Sequence, residues 1–329
     1  MTRYIKRITF ALTPLCLILA VGAAGCSATP DPWSPQPGPK VLAFFPPIYS
    51  LAASVAGDDA QVLSLLTTKG PHDYEPSRTD ARKLGRTDLF LINGLGLDET
   101  VAGRLAQTGG SKSLKLVELG EAIPQKTLLE GGCNCGKEAG HDHSHDDGHV
   151  HYDPHVWLGI PEAIAMVGRI QAELSTRDPA HAAAYATRAA ALIERLTKLQ
   201  TDGKALLARK TEKPRVLTHH DSMRYFARTF GVEIVDSIEM PGREPTAARL
   251  NELVAQCKEK KTRLIAVEPQ YSSNTGAQAL LKELRRQGMT DAAFVELDPL
   301  ETADPVDLTA DWYERKLMAN VDALAKVLK

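Results

Sequence analysis

The chain has 329 residues, 43% hydrophobic and 24% charged, a composition that supplies a buried core and does not suit a disordered polymer. Thirty-nine Lys and Arg stand against 41 Asp and Glu, for a formal net charge of −2, and no basic block follows the first few residues. That balance argues against a nucleic-acid partner.

The N-terminus reads as an export signal over residues 1–26. Arg3, Lys6 and Arg7 form a positive start, a mostly apolar run follows over residues 8–24, and Ala23-Ala24-Gly25 lead into Cys26. Small residues just before a cysteine resemble the bacterial lipobox, which implies lipidation at Cys26 and a membrane-anchored, exported protein. Ala23 departs from that pattern, which prefers Leu three residues before the cysteine. An ordinary cleaved signal or an uncleaved anchor are the alternatives, and all three place the body of the protein outside the cytoplasm, in the periplasm or at the cell surface. Residues 27–40 carry five prolines, so 27–39 are expected to form a semi-extended tether.

The remaining length exceeds what one small core needs, so two domains are expected. In chain order, apolar runs predict strands at 40–46, 61–66, 88–93 and 114–118, with helices at 49–56, 79–84 and 99–106 between them. An amphipathic helix is predicted over 161–175, and a second of about 30 residues from 178 to 209, roughly 45 Å long. Alternation then resumes, with strands at 215–219, 232–238, 263–267 and 293–297, and helices at 222–229, 246–260, 276–287 and 311–329. The expected class is α/β: two lobes with mainly parallel sheets, at 40–178 and 211–329, joined by a long helix at 179–210.

The alternation is interrupted over 131–152 by a run without periodicity, expected to be a flexible loop. Six of the ten histidines fall within residues 140–155, interleaved with aspartates. Neutral imidazole is the commonest protein ligand for zinc, so the run points to metal. Cys133, Cys135, His141, His143, His145, His149 and His151 are expected to form an auxiliary, low-affinity metal-capture loop. A disulfide between Cys133 and Cys135 would close a strained ring, which favours thiolate help in binding soft metal. Cys257, alone on a predicted helix, reads as a small buried apolar residue.

Candidate ligands also stand just after predicted strands, where open α/β sheets bind ligands. These are His72 in KGPHDYEP, His155 in DPHVWLG, His220 in THHD and Asp298 in LDPL. In order, GPHDYEP, DPHVWLG, THHDSMRYFARTFGV, REPTAARL, AVEPQYS and ELDPL resemble the metal-specific solute-binding proteins of bacterial ABC transporters, and within them the zinc-uptake, ZnuA-like branch. The resemblance covers nearly all of 40–329 and implies two α/β lobes joined by a rigid helix, with metal in the cleft between them. It implies His72, His155 and His220 as ligands, with Asp298 or water as the fourth. Manganese-binding relatives have a carboxylate where His220 stands, which favours zinc here. Some zinc-uptake relatives take a carboxylate from the residue before the first histidine; here Pro71 cannot ligate.

Glu268 and His219 are expected to orient or support ligands rather than bind metal, while Trp157 and Tyr225 read as packing and His181 as solvated. The expected function is zinc capture and delivery to an ABC permease, and through it to an ATPase, by a monomeric, non-enzymatic carrier. A manganese or other divalent-metal carrier or an adhesin of the same family is the alternative. A zinc hydrolase, with Glu268 or Asp221 as base, is disfavoured because no HExxH-type motif is present.

Overall fold

The computed structural model describes residues 31–72, 74–131, 151–238, 245–269 and 275–329. The expected signal, Cys26, and Cys133, Cys135, His141, His143, His145 and His149 lie outside the described residues. Trp33–Lys329 is one compact unit containing two sheets.

The first sheet is built from β1 (Lys40–Ala43), β2 (Gln61–Ser64), β3 (Leu89–Ile92) and β4 (Lys115–Glu118), in the order β2-β1-β3-β4 and parallel throughout. Strand β3, LFLI, is buried at every position, as expected of a parallel strand covered on both faces. Between the strands lie α1 (Pro46–Ala56), α2 (Arg78–Leu84) and α3 (Glu99–Gly109). Residues 44–46 were expected to extend the first strand, but Pro46 and Pro47 instead open α1. Their fixed φ suits a first helical turn, and their missing N–H groups are not needed there. Trp33 falls within the expected tether yet is buried in the core, its indole Nε1 donating to Lys83 O at 2.9 Å.

The long α4 (Ile160–Arg177) and α5 (Ala182–Ala208) follow. The 27 residues of α5 span about 40 Å at 1.5 Å per residue. Near its start, Arg188 donates to Val55 O and pairs with Asp59 at 2.7 Å; just past its end, Lys210 donates to Leu328 O at 3.2 Å. The helix is thereby fastened to both halves. Gly203 lies where α5 meets the next helix, because a Cβ there would stand 2.6 Å from the Phe230 ring.

The second sheet contains β5 (Arg215–Thr218), β6 (Glu233–Ser237), β7 (Leu264–Val267) and β8 (Ala293–Glu296), again parallel, in the order β6-β5-β7-β8. Its helices are α6 (Arg224–Phe230), α7 (Ala247–Lys260), α8 (Thr275–Arg286) and α9 (Trp312–Val327). The fold is thus α/β, two β/α lobes joined by one long helix. One hydrophobic cluster runs from Trp33 and β1 through α4 and α5 to Phe226, Trp312 and Leu324. A separate cluster, including Leu253, Leu280 and the fully buried Cys257, packs beneath the second sheet. Burial pushes the Cys257 thiol up to about 11, so it behaves as the apolar residue expected from sequence.

Candidate metal centre

Four side chains from separate loops converge between the two sheets. His72 lies in the loop after β2, and His155 precedes a single 3-10 turn at Val156–Leu158. His220 follows β5, and Glu301 follows β8. One ligand-type atom from each lies within 4.8 Å of all the others. Glu301 Oε1 stands 3.4 Å from His72 Nε2 and 3.9 Å from Nε2 of both His155 and His220. Charge-assisted hydrogen bonds are shorter, about 2.7–2.9 Å, and one oxygen cannot serve three donors at such separations. Two ligands on a tetrahedral ion with bonds of about 2.0–2.1 Å stand roughly 3.3 Å apart. The carboxylate oxygen therefore stands from the three ring nitrogens at separations close to, and up to about 0.6 Å beyond, those of ligands around an ion.

Among the described residues, Glu301 Oε1 and His155 Nε2 are buried without a hydrogen-bond partner. Buried polar atoms are normally satisfied, and a shared cation would satisfy both. Burial pushes the Glu301 carboxyl up, but His72 and the other two imidazoles pull it further down, leaving it below the ordinary glutamate range. An anionic oxygen thus faces three ring nitrogens. His155 is fully buried, whereas the His72 side chain is 30% exposed, so one edge of the cluster opens to solvent.

The ring orientations are fixed from behind. His155 Nδ1 bonds Asp153 Oδ1 at 2.8 Å, and the His155 backbone N–H donates to the same oxygen. Asp153 is held in turn by Arg224 at 3.6 Å, and its carbonyl accepts from Tyr225 Oη. His220 Nδ1 is hydrogen-bonded to Glu268 Oε1. A carboxylate on Nδ1 leaves Nε2 as the lone-pair nitrogen aimed into the cluster and raises its basicity, the arrangement that supports metal-ligating histidines. Glu268, expected to orient a ligand, stands on the Nδ1 edge of His220.

The expected fourth ligand, Asp298, stands apart from these four side chains: its Oδ1 accepts from Leu300 N at 2.8 Å, and its Oδ2 meets Lys316 at 3.4 Å. Asn320 brackets its backbone on both sides. Leu300 adopts a left-handed φ of 63° and turns the chain so that Glu301, the next residue, enters the cleft. A buried leucine in that region is strained and persists because its surroundings hold it. Nothing in the identity of Leu300 announces this turn, but the second acidic residue in DPLE was the available signal. Asp153 was likewise readable, as the acid two residues before His155.

Other expected residues fall outside the cluster. His219 is buried at the end of β5. Exposed His151 lies at the base of the interrupted segment, where its carbonyl accepts from Gly131 N and the Glu130–Tyr152 bridge pairs the flanks. His181, expected to be solvated, bonds Asp178 at 2.7 Å. Trp157 is packing, with its ring edge-on to Phe45 and its Nε1 donating to Pro299 O.

Residues 41–327 match the family model described as zinc-uptake complex component A, periplasmic. The zinc-binding lipoprotein AdcA of Streptococcus pneumoniae is 31% identical over 310 residues, covering 93% of this chain but 57% of AdcA. The chain therefore spans little more than half the length of the AdcA relatives it matches. The manganese-binding lipoprotein MntA of Bacillus subtilis is 28% identical and is covered almost end to end, at 96%. A structure of FpvC from Pseudomonas aeruginosa in complex with Mn2+ superposes with a TM-score of 0.71 at 26% identity, covering 89% of this chain and 99% of that one. By the extent of the family match, the chain belongs to the zinc-uptake complex component A (ZnuA) family.

Proposed function

We propose that this protein binds zinc outside the cytoplasm and delivers it to an ABC permease, acting as a carrier rather than a catalyst. One observation carries the reading: three imidazole nitrogens and one buried carboxylate oxygen meet within 4.8 Å of one another. His72, His155, His220 and Glu301 are the assigned ligands, with Asp153 and Glu268 orienting two of the rings. Three neutral nitrogens and one oxygen suit zinc; manganese prefers oxygen-rich, higher-coordinate surroundings. Zinc is therefore favoured, although MntA is named manganese-binding and FpvC is described in complex with Mn2+. A site closed by four protein ligands leaves no position for a reacting water, in contrast to catalytic zinc. Lipidation at Cys26 would hold the carrier at the membrane as a monomer, and the Cys/His-rich run over 132–151 would collect ions weakly beside the cleft.

The test is calorimetric titration of metal-stripped protein with zinc and with manganese, using the parent chain, a 132–151 deletion and His155→Ala. One tight zinc event that survives the deletion and disappears in His155→Ala supports the reading. Tight binding that vanishes with the deletion and persists in His155→Ala overturns it.

A further inference from the structure

We infer that Gly70 is a specificity-determining residue of this site, because its missing side chain leaves the notch that receives the second oxygen of Glu301. The inference rests on the metal assignment proposed above. Gly70 does not have a positive φ, so its backbone does not demand glycine. It also precedes Pro71, which favours an extended conformation that alanine adopts without strain. The reason for glycine must therefore lie in what surrounds it.

Among the described residues, a Cβ built on Gly70 would meet one side chain within 4 Å: Glu301, with Oε2 at 3.1 Å and Cβ at 3.7 Å. The second distance is ordinary contact. The first is too tight by a few tenths of an ångström, so the carboxylate would have to turn. The backbone on either side cannot easily retreat. Ala303 N donates to Thr67 O at 2.7 Å, tying the Glu301 loop to the loop that carries Gly70. On the other side, buried Leu300 is fixed by Asp298.

The consequence concerns coordination number. Oε1 faces the three ring nitrogens, while Oε2 turns aside into the notch. Glu301 then offers one oxygen, completing a four-coordinate site of the kind zinc accepts. Filling the notch drives Oε2 back towards the ion. The carboxylate must then present both oxygens or withdraw. The first raises the coordination number and the oxygen share, which favours a harder ion such as manganese; the second weakens zinc. Either way the preference for zinc narrows.

The experiment is a competition titration of zinc and manganese on four full-length proteins: the parent, Gly70→Ala, Glu301→Asp, and the double variant. Thermal unfolding of each metal-free protein checks that it folds, and the absorption of the cobalt-substituted forms reports coordination number. The shorter aspartate does not reach the notch, so the two substitutions should couple. The expected result is a zinc-over-manganese preference lowered at least tenfold by Gly70→Ala in the parent and unchanged by it in the Glu301→Asp background. A preference unchanged in the parent overturns the inference, as does an equal fall in both backgrounds. If the parent does not bind zinc tightly, it is the metal assignment itself that fails.

Discussion

Replacing Glu301 with Gln keeps its shape and removes its charge, and the structure says how much this should matter. Glu301 is buried, so the free protein has already lost most of that carboxylate's hydration. A unit negative charge about 2 Å from a dication contributes roughly 4 kcal/mol even with the dielectric constant of water, from 332 × 2/(80 × 2). The amide oxygen is still a dipole and returns part of this. The net loss should be about 3–4 kcal/mol, or two to three decades in Kd. Asp298→Asn is the matched control. The asparagine oxygen can still accept from Leu300 N, so the turn that presents Glu301 survives, and the contact to Lys316 is one weak pair at 3.4 Å. Zinc affinity in Asp298→Asn should stay within about threefold of the parent, well under 1 kcal/mol. Competition against a chromogenic chelator, with folding verified by circular dichroism, reads both variants. A hundredfold loss in Asp298→Asn beside parental binding in Glu301→Gln would show that the strand-end aspartate, and not Glu301, holds the ion.

Zinc binding should weaken in acid, because each imidazole must be unprotonated to ligate. Affinity should fall steadily from neutral to mildly acidic pH, and a pH-independent Kd would contradict a histidine-built site. Asp153→Ala removes the acceptor that fixes His155 Nδ1 and should lower zinc affinity by about 10–100-fold, read by the same competition; unchanged affinity would mean the ring needs no such support. Burial pushes Asp98 up to about 7, despite backbone N–H groups of Asn93 and Gly94 on its oxygens. The native state then keeps a proton that the unfolded chain sheds near pH ~4, so stability falls as pH rises from about 4 to 7 and stays lowered above; Asp98→Asn should flatten that slope in urea midpoints, and a retained slope assigns it elsewhere.

The architecture was legible because its signals are local. Strands such as LFLI are unbroken apolar runs bounded by glycine, proline and charge, and the helices carry a regular apolar spacing. Loop histidines were legible for a related reason: the end of a parallel strand fixes where the next few residues lie. The side chain that finally points into the cleft is decided by a different scale of structure. Asp298 and Glu301 are three residues apart, both acidic, and both past the end of β8. Their roles are set by the left-handed turn at Leu300 and by Lys316 and Asn320 on a later helix. Those are long-range facts about backbone strain and partner position, invisible to composition or periodicity. Trp33 was misread for a similar reason: the surrounding prolines exclude regular structure, but they do not prevent one indole from docking on Lys83 O.

The same long-range contacts bear on how an ion leaves. Helix α6, which begins just after His220, is strapped to the first half of the chain. Arg224 donates to Glu130 O, and Arg228 donates to Thr127 O and pairs with buried Glu162 on α4 at 2.7 Å. Tyr225 accepts from Leu129 N and donates to Asp153 O, directly beside His155. His155 and His220 thus hang from one cross-braced frame, although they come from opposite halves. A continuous core through α5 and α9 reinforces it. Wide separation of the lobes would break these hydrogen bonds together and strand Glu162 as a buried charge, which proteins avoid. Loosening is less demanding at His72, partly exposed on its loop. On the proposed carrier reading, capture and release would be most easily achieved by displacing His72 at the solvent-facing edge, with the braced pair of histidines left in place.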